Sequence, residues 1–447
     1  MTVAQPKPAV RGPEARHLLA ARIARYWAHG VARKNRLLRV LGPGWITGAS
    51  DDDPSGIATY SQVGAQFGYG MTWVMLFAWP LMAAIQEICA RIGRVTGEGI
   101  AGNIRANYPP WLLRGIVGLL IVANVINLGA DLGAMGDAAG MLVGGSAKVY
   151  VVAFAVGCAL LEVFSRYERY ASLLKWASLS LFAYVATALA VDVPWRQVAL
   201  ATFVPNFSWQ KDYIVAIVAV LGTTITPYCF FWQSSEEAEE ERLNPAAHPL
   251  LEAPQEAGLE IGRIRLDTYV GMGFSNLISW FIIVATAATL NAHGITDIQS
   301  SAQAAEALRP IAGVFTFAVF AAGIIGLGLL AVPILAGSAA YALGEALGWP
   351  TGLGRLPADA KAFYGTICVA TLIGVFINFI DLDPIKALFW AAVLNGVVAV
   401  PLMAVIMLMA TQRRVMGPFT LPRPLSAMGW LSTAAMAVAV VAMFATW

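Results

Sequence analysis

Charge is what this sequence has least of. Lys, Arg, Asp and Glu together make up 13% of its 447 residues, where a soluble domain carries about 25%. Histidine and cysteine are scarce as well, four of each. Cys89, Cys158, Cys229 and Cys368 fall inside apolar stretches with no paired spacing, so they define neither a disulfide framework nor a zinc site. His17, His29, His248 and His293 lie in the leader, in a loop or at the end of a stretch, none placed to ligate a metal at the centre of a bilayer. No nucleotide-binding loop, low-complexity tract or soluble domain interrupts the chain. What fills the sequence is hydrophobic, at 58% of residues and a mean hydropathy of +0.66. The runs are continuous and about 20 residues long, which predicts membrane helices and not the alternating strands of a barrel.

Eleven such spans are read at 44–68, 71–93, 113–136, 148–164, 170–191, 212–234, 268–291, 312–343, 362–380, 385–410 and 427–446. Span eight is long enough to tilt or to carry an extra turn. With the N-terminus inside, 24 of the 29 Lys and Arg fall on one side, nine of them in the leader from Lys7 to Arg39. The positive-inside rule then places the N-terminus in the cytoplasm and the C-terminus outside a plasma (inner) membrane. Residues 1–40 read as a solvated basic segment, and 41–447 as one transmembrane domain. These basic residues are explained by topology and imply no nucleic acid. The longest internal loop, about 236–266, opens with the acidic run EEAEEER, which reads as a solvated continuation of span six.

Two spans are broken at their centres. Span one carries Asp51, Asp52, Asp53, Pro54, Ser55 and Gly56, and span six carries Gly222, Thr223, Thr224, Thr226 and Pro227. Proline removes a backbone donor and disfavours helix in the preceding residue, so both spans unwind at Asp53-Pro54 and Thr226-Pro227. A carboxylate at the centre of a bilayer costs roughly 2.5–3.5 kcal/mol or more, and marks a functional site by default. Matching breaks in two halves point to a secondary transporter with its site at the midplane. Five spans per half give inverted repeats at about 41–192 and 205–410, with 427–446 added.

Around these breaks, Asp53 is the first candidate ligand. The alternative for it is a purely structural cap on the broken helix. Three successive aspartates cannot face one cavity at helical spacing, so Asp51 and Asp52 are candidates of undetermined direction. Thr223 and Thr226 are candidate pocket residues, as are Tyr228 and Gln233, although threonine in a membrane helix often bonds its own backbone. Asp131 and Asn395 are polar in apolar runs and stand as candidates for the pathway. Gln86 is polar in span two, and Glu87 there reads either as a proton or ion relay or, near the cytoplasmic end, as a partner of Arg91 at i+4. Asn124 and Asn127 read as interhelical packing.

GPGWITGASDDDPSGIATYSQVGAQFGYG, CARIGRVTG, ADLGAM and GTTITPYCFFWQ together resemble the Nramp family of divalent-metal transporters. The resemblance covers most of the membrane domain and implies an all-α, LeuT-type fold with eleven or twelve spans. In that family an Asp and an Asn of span one bind the ion, together with an Ala carbonyl and a Met sulfur of span six. Asp53 matches the Asp, whereas Gly56 stands at the Asn. Thr223 stands at the Ala and Thr226 at the Met. Tyr228 replaces the His after the Met-Pro pair. Asp131 is retained, Ala134 replaces a Glu linked to proton passage, and span nine lacks the family's basic pair. These departures resemble the Nramp-related magnesium branch.

Without the thioether, carboxylate, hydroxyl and carbonyl oxygens remain, a set suited to a hard ion. Mg²⁺ keeps several waters, which fits a roomy pocket made by Gly56 and Thr226. The expectation is therefore an alternating-access carrier of a hard divalent cation, Mg²⁺ or Mn²⁺, with weak proton coupling. It needs no cofactor and implies no obligate protein partner beyond the lipid bilayer. A divergent member with another substrate, and a conventional proton-coupled Mn²⁺/Fe²⁺ carrier, are the alternatives. A membrane enzyme is disfavoured because no second carboxylate motif or histidine cluster accompanies the aspartates.

Overall fold

The computed structural model describes residues 43–164, 180–244, 247–380 and 383–447. The basic leader and the first half of span five fall outside the described residues. Every described regular element is helical. Span one appears as α1 (Pro43–Asp51) and α2 (Pro54–Phe67), and spans two and three as α3 (Thr72–Thr96) and α5 (Pro110–Val143), with a short α4 (Ile100–Asn107) between. Span four is α6 (Ala147–Phe164), and α7 (Phe182–Ala190) is the described part of span five. A surface helix α8 (Trp195–Phe203) leads to span six, which is α9 (Lys211–Thr224) and α10 (Pro227–Leu243). Spans seven to eleven are α11 (Ala257–Thr289), α12 (Thr316–Leu347), α13 (Lys361–Ile377), α14 (Pro384–Thr411) and α15 (Arg423–Thr446). At 32 residues, α12 exceeds a minimal span, as its apolar run predicts.

Both breaks arise by the same local chemistry. α1 stops at Asp51 and α9 at Thr224, and the next helix starts with proline at its first position. There the missing N–H costs nothing, because the first-turn donors of a helix have no intrahelical partner anyway. Asp53 and Thr226, the residues before proline, take extended backbone angles (φ −67°, ψ 173° and φ −85°, ψ 129°).

The broken helices sit in the middle of the bundle. α1 and α2 pack on α11, and α9 packs on α14. Two close backbone approaches fix them. A Cβ on Gly48 would fall 2.4 Å from the Gly271 carbonyl carbon, and one on Gly222 would fall 2.1 Å from Ala392 O. Such contacts let small residues bring membrane helices together without a hydrophobic driving force. Outward faces are apolar and exposed, as at Val149, Val152 and Val156 of α6 and Val438, Val441 and Phe444 of α15.

The acidic run does not continue as a solvated face. α10 extends through Leu243, and Glu237, Glu239 and Glu241 are buried. Arg94 reaches Glu241 at 2.9 Å, Glu256 at 3.1 Å, Glu260 at 3.3 Å and the His248 carbonyl at 2.6 Å. Arg263 meets Glu237 at 2.5 Å, and Glu239 accepts from Gly354 N at 2.6 Å and from the Tyr341 hydroxyl. The expectation fails because arginines and loop amides, not water, lie opposite these carboxylates; buried charges persist only with such partners.

Candidate functional site

The site is built from the two breaks and the helices that flank them. Asp53 is the N-cap of α2, its Oδ1 accepting from Gly56 N at 2.8 Å and from the Ser55 hydroxyl at 2.6 Å. Its Oδ2 accepts from Asn127 Nδ2 on α5 at 3.1 Å. The Tyr228 hydroxyl lies 3.0 Å from Ser50 O and 3.3 Å from that same Oδ2, one proton serving both. Asn395 Nδ2 of α14 donates to Asn127 Oδ1 at 3.3 Å, and the Thr223 and Ser55 hydroxyl oxygens are 3.4 Å apart. Asp53, Ser55, Asn127, Thr223, Tyr228 and Asn395 thus form one polar cluster.

Asp51 and Asp52 point the other way, toward α11. Asp51 Oδ1 accepts from the Thr226 hydroxyl and Oδ2 from that of Ser275, both at 3.0 Å. Asp52 Oδ1 accepts from the hydroxyls of Ser279 at 3.0 Å and Ser275 at 3.1 Å. All three aspartates are 1% exposed. Thr226 therefore belongs with Asp51 and not with Asp53.

Side chains bond backbone carbonyls around the breaks, at the end of α1 and in the first turn of α10. Besides the Tyr228 bond to Ser50 O, Gln86 Nε2 donates to Cys229 O at 2.7 Å and the Ser338 hydroxyl to Tyr228 O at 3.0 Å. In a bilayer no water is at hand to take them.

Several readings change. Asn127 is no packing residue alone, since it touches Asp53; Asn124 does pack, donating to Leu335 O at 3.1 Å. Gly56 does not open a roomy pocket: a Cβ there would lie 3.2 Å from the Tyr60 ring and 3.5 Å from both Asp51 O and Thr223 Oγ1. The ring of Tyr60 fills the space. Gln233 bonds Thr268 at 3.0 Å, away from Asp53. Asp131 is fully buried and neither of its carboxylate oxygens has a hydrogen-bond partner. Glu87 and Arg91 pair at 2.5 Å, as their spacing predicts. The oxygen-only environment also needs amending, because Cys229 Sγ lies 3.5 Å from the Thr226 hydroxyl.

Sequence reasoning missed Tyr60, Ser275 and Ser279. The i, i+4 serines in GFSNLISWF were the available signal, one polar stripe on an apolar helix. Among the described residues, no group of three His, Cys, Asp or Glu side chains is placed to hold a metal. Cation binding here would rest on at most two carboxylates at a time with neutral oxygens around them. That is the donor set of a hard, partly hydrated ion.

Paired broken helices around a buried polar centre define a multi-pass membrane protein with a LeuT-type core. The sequence profile described as natural resistance-associated macrophage protein-like (Nramp) matches residues 44–446. The chain belongs to the Nramp family. It is 28% identical over 303 residues to a divalent metal cation transporter MntH of Acidiphilium cryptum, covering 64% of this chain and 65% of that protein. To the protein of that name in Klebsiella pneumoniae strain 342 it is 25% identical over 416 residues, covering 90% and 92%. A crystal structure of an Eremococcus coleocola manganese transporter superposes with a TM-score of 0.70 at 16% identity, over 89% of this chain and 84% of that one. Mhp1, a nucleobase-cation-symport-1 family transporter, follows with a TM-score of 0.53 at 14% identity, over 91% and 92%.

Proposed function

We propose that this protein is a secondary transporter of a divalent metal cation, working by alternating access, with Asp53 as the ion's charged ligand. The carrying observation is the Asp53 cluster: one carboxylate at a helix break, faced by the Ser55 hydroxyl of its own helix, the Tyr228 hydroxyl of α10 and the Asn127 amide of α5. Gly56 leaves span one without an amide ligand, and Asn127 brings one to Asp53 from α5. The relatives' names support the substrate class. The local chemistry supports a hard ion, Mg²⁺ or Mn²⁺, because the lone pairs beside Asp53 belong to oxygens, those of the carboxylate and of the Ser55 and Tyr228 hydroxyls, while the Gly56 and Asn127 nitrogens only donate hydrogen bonds. Proton coupling is weak in this reading, since Ala134 and Tyr228 carry no proton at neutral pH that they exchange readily. The membrane is the plasma (inner) membrane, with residues 1–40 cytoplasmic, and the transporter domain spans 41–447 as inverted repeats of about 41–192 and 205–410.

Calorimetric titration of Mg²⁺, Mn²⁺ and Ca²⁺ into the purified protein tests this. Saturable Mg²⁺ or Mn²⁺ binding, lost in Asp53→Ala, is the expected result. No heat with any divalent ion would sink the proposal. A second reading follows from Cys229, whose sulfur stands near Thr226 and favours a thiophilic transition metal. It predicts that Cys229→Ser weakens Cd²⁺ binding about tenfold, ~1.4 kcal/mol, and leaves Mg²⁺ untouched; unchanged Cd²⁺ affinity would remove it.

A further inference from the structure

We propose that Asp51 and Asp52, with Thr226, Ser275, Ser279 and Tyr60, form a second cation site, separate from Asp53 and suited to Na⁺. The two carboxylates leave the break on the side opposite to Asp53 and meet α11, where the Ser275 hydroxyl lies 3.0 Å from one and 3.1 Å from the other. Ser279 and Thr226 each add a hydroxyl at 3.0 Å. Hydroxyls that now donate to carboxylates turn about their C–O bonds and offer lone pairs to a cation instead.

Tyr60 supplies the independent sign of a ligand. Its side chain is fully buried and its hydroxyl has no hydrogen-bond partner within 3.5 Å; Ser279 is the one side chain near enough to approach bonding it, and Asp51 and Asp52 lie within its electrostatic reach. A buried polar group without a close partner is costly, and a cation shared with the neighbouring carboxylates would explain this one. No Lys or Arg is among the groups acting on Asp51, Asp52 or Asp53; hydroxyls, an amide, a backbone N–H and the other aspartates are. Asp51, Asp52 and Asp53, when all three are ionised, leave one negative charge at the break beside one divalent ion at Asp53, the buried Asp131 apart. One monovalent cation removes it, and this count presupposes the divalent ion proposed above.

Two carboxylates and four hydroxyl groups make an all-oxygen shell of six protein groups, enough to take the place of a cation's waters. Mg²⁺ gives up its waters reluctantly and prefers to keep several, whereas Na⁺, with half the charge, sheds its hydration far more readily. The Cys229 thiol, on the far side of Thr226, is a poor ligand for such a hard ion.

The test measures ²²Na⁺ binding and Na⁺-dependent thermal stabilisation of the purified full-length protein, with choline replacing Na⁺ at constant ionic strength. Divalent-ion titration of the same samples runs in parallel. Wild type should bind Na⁺ saturably, and Asp52→Asn and Ser279→Ala should weaken it tenfold or more. Tyr60→Phe should weaken it several-fold, and Asp53→Asn should keep Na⁺ while losing the divalent ion. If Asp52→Asn fails to fold, Ser279→Ala and Tyr60→Phe decide, since neither changes charge. A protein that binds divalent ions but does not distinguish Na⁺ from choline overturns the second site alone. So does Na⁺ binding that disappears with Asp53 and survives in Ser279→Ala. Loss of divalent binding in wild type with Na⁺ binding intact would instead count against the function proposed above.

Discussion

The two breaks share a backbone and differ in what their last free residue does. At the first, Asp53 caps its own helix, accepting from Gly56 N at 2.8 Å. At the second, Thr226 makes no side-chain cap and sends its hydroxyl across to Asp51 instead. The first break holds the charge and is self-sufficient; the second is neutral, and its hydroxyl, thiol and ring reach toward the first. The lesson is a division of labour. Under the proposed function, ion affinity would reside in span one, and span six would trim the shape and softness of what surrounds it. Changes at Thr226, Tyr228 and Cys229 should therefore leave the fold standing, whereas an Asp53 change strikes the charge itself.

The sharpest way to break that comparison is Asp53→Asn. Asparagine caps helices about as well as aspartate, so this variant keeps the break intact and removes only the negative charge. Divalent affinity is expected to fall a hundredfold or more, about 2.7 kcal/mol, with the melting temperature nearly unchanged. Calorimetry paired with a thermal scan reads both. A variant that binds like wild type would make Asp53 a structural cap and leave the first break with no more function than the second.

A smaller effect separates the breaks by their glycines. At Gly222 a new Cβ meets backbone, Ala392 O at 2.1 Å and Gly396 N at 2.5 Å, and neither helix can yield easily. At Gly56 the tightest neighbour is the edge of the Tyr60 ring at 3.2 Å. Gly222→Ala is expected to cost about 1–3 kcal/mol, as overpacked cores do, and to lower the melting temperature of the detergent-solubilised protein by several degrees. For Gly56→Ala, the gain in helix propensity of up to about 1 kcal/mol offsets a small ring shift, so stability should stay within about 1 kcal/mol of wild type. Equal losses in the two variants would mean that the first break is clamped as tightly as the second.

Both breaks were legible in the sequence because proline after a polar residue inside a 20-residue apolar run has few other meanings. The same holds for the eleven spans, each of which has a helix in the described residues. Side-chain direction was not legible. At a break the helical phase is lost, so nothing local says that Asp53 turns to α5 while Asp51 and Asp52 turn to α11. Asn127 was misjudged for the same reason: its spacing to Asn124 is that of a packing stripe, and only the tertiary fold puts one of the two against a carboxylate. The acidic run of α10 misled differently, because the charges that bury it come from Arg94 and Arg263, which are remote in sequence.

Tyr228 gives the finest test of the division. Its hydroxyl stands between Ser50 O, at 3.0 Å, and Asp53 Oδ2, at 3.3 Å, so it links the second break to the last turn before the first. With one proton and two acceptors, it holds the backbone of α1 and steadies the carboxylate together. Tyr228→Phe removes the link and leaves Ser50 O without that partner. A neutral hydrogen bond is worth about 0.5–1.5 kcal/mol, so divalent affinity should fall only about three- to tenfold. Mg²⁺ and Mn²⁺ should fall together, because the lost group orients Asp53 and does not choose the metal. A change confined to one of the two ions would make Tyr228 a ligand in its own right, and would move part of the ion's affinity into span six.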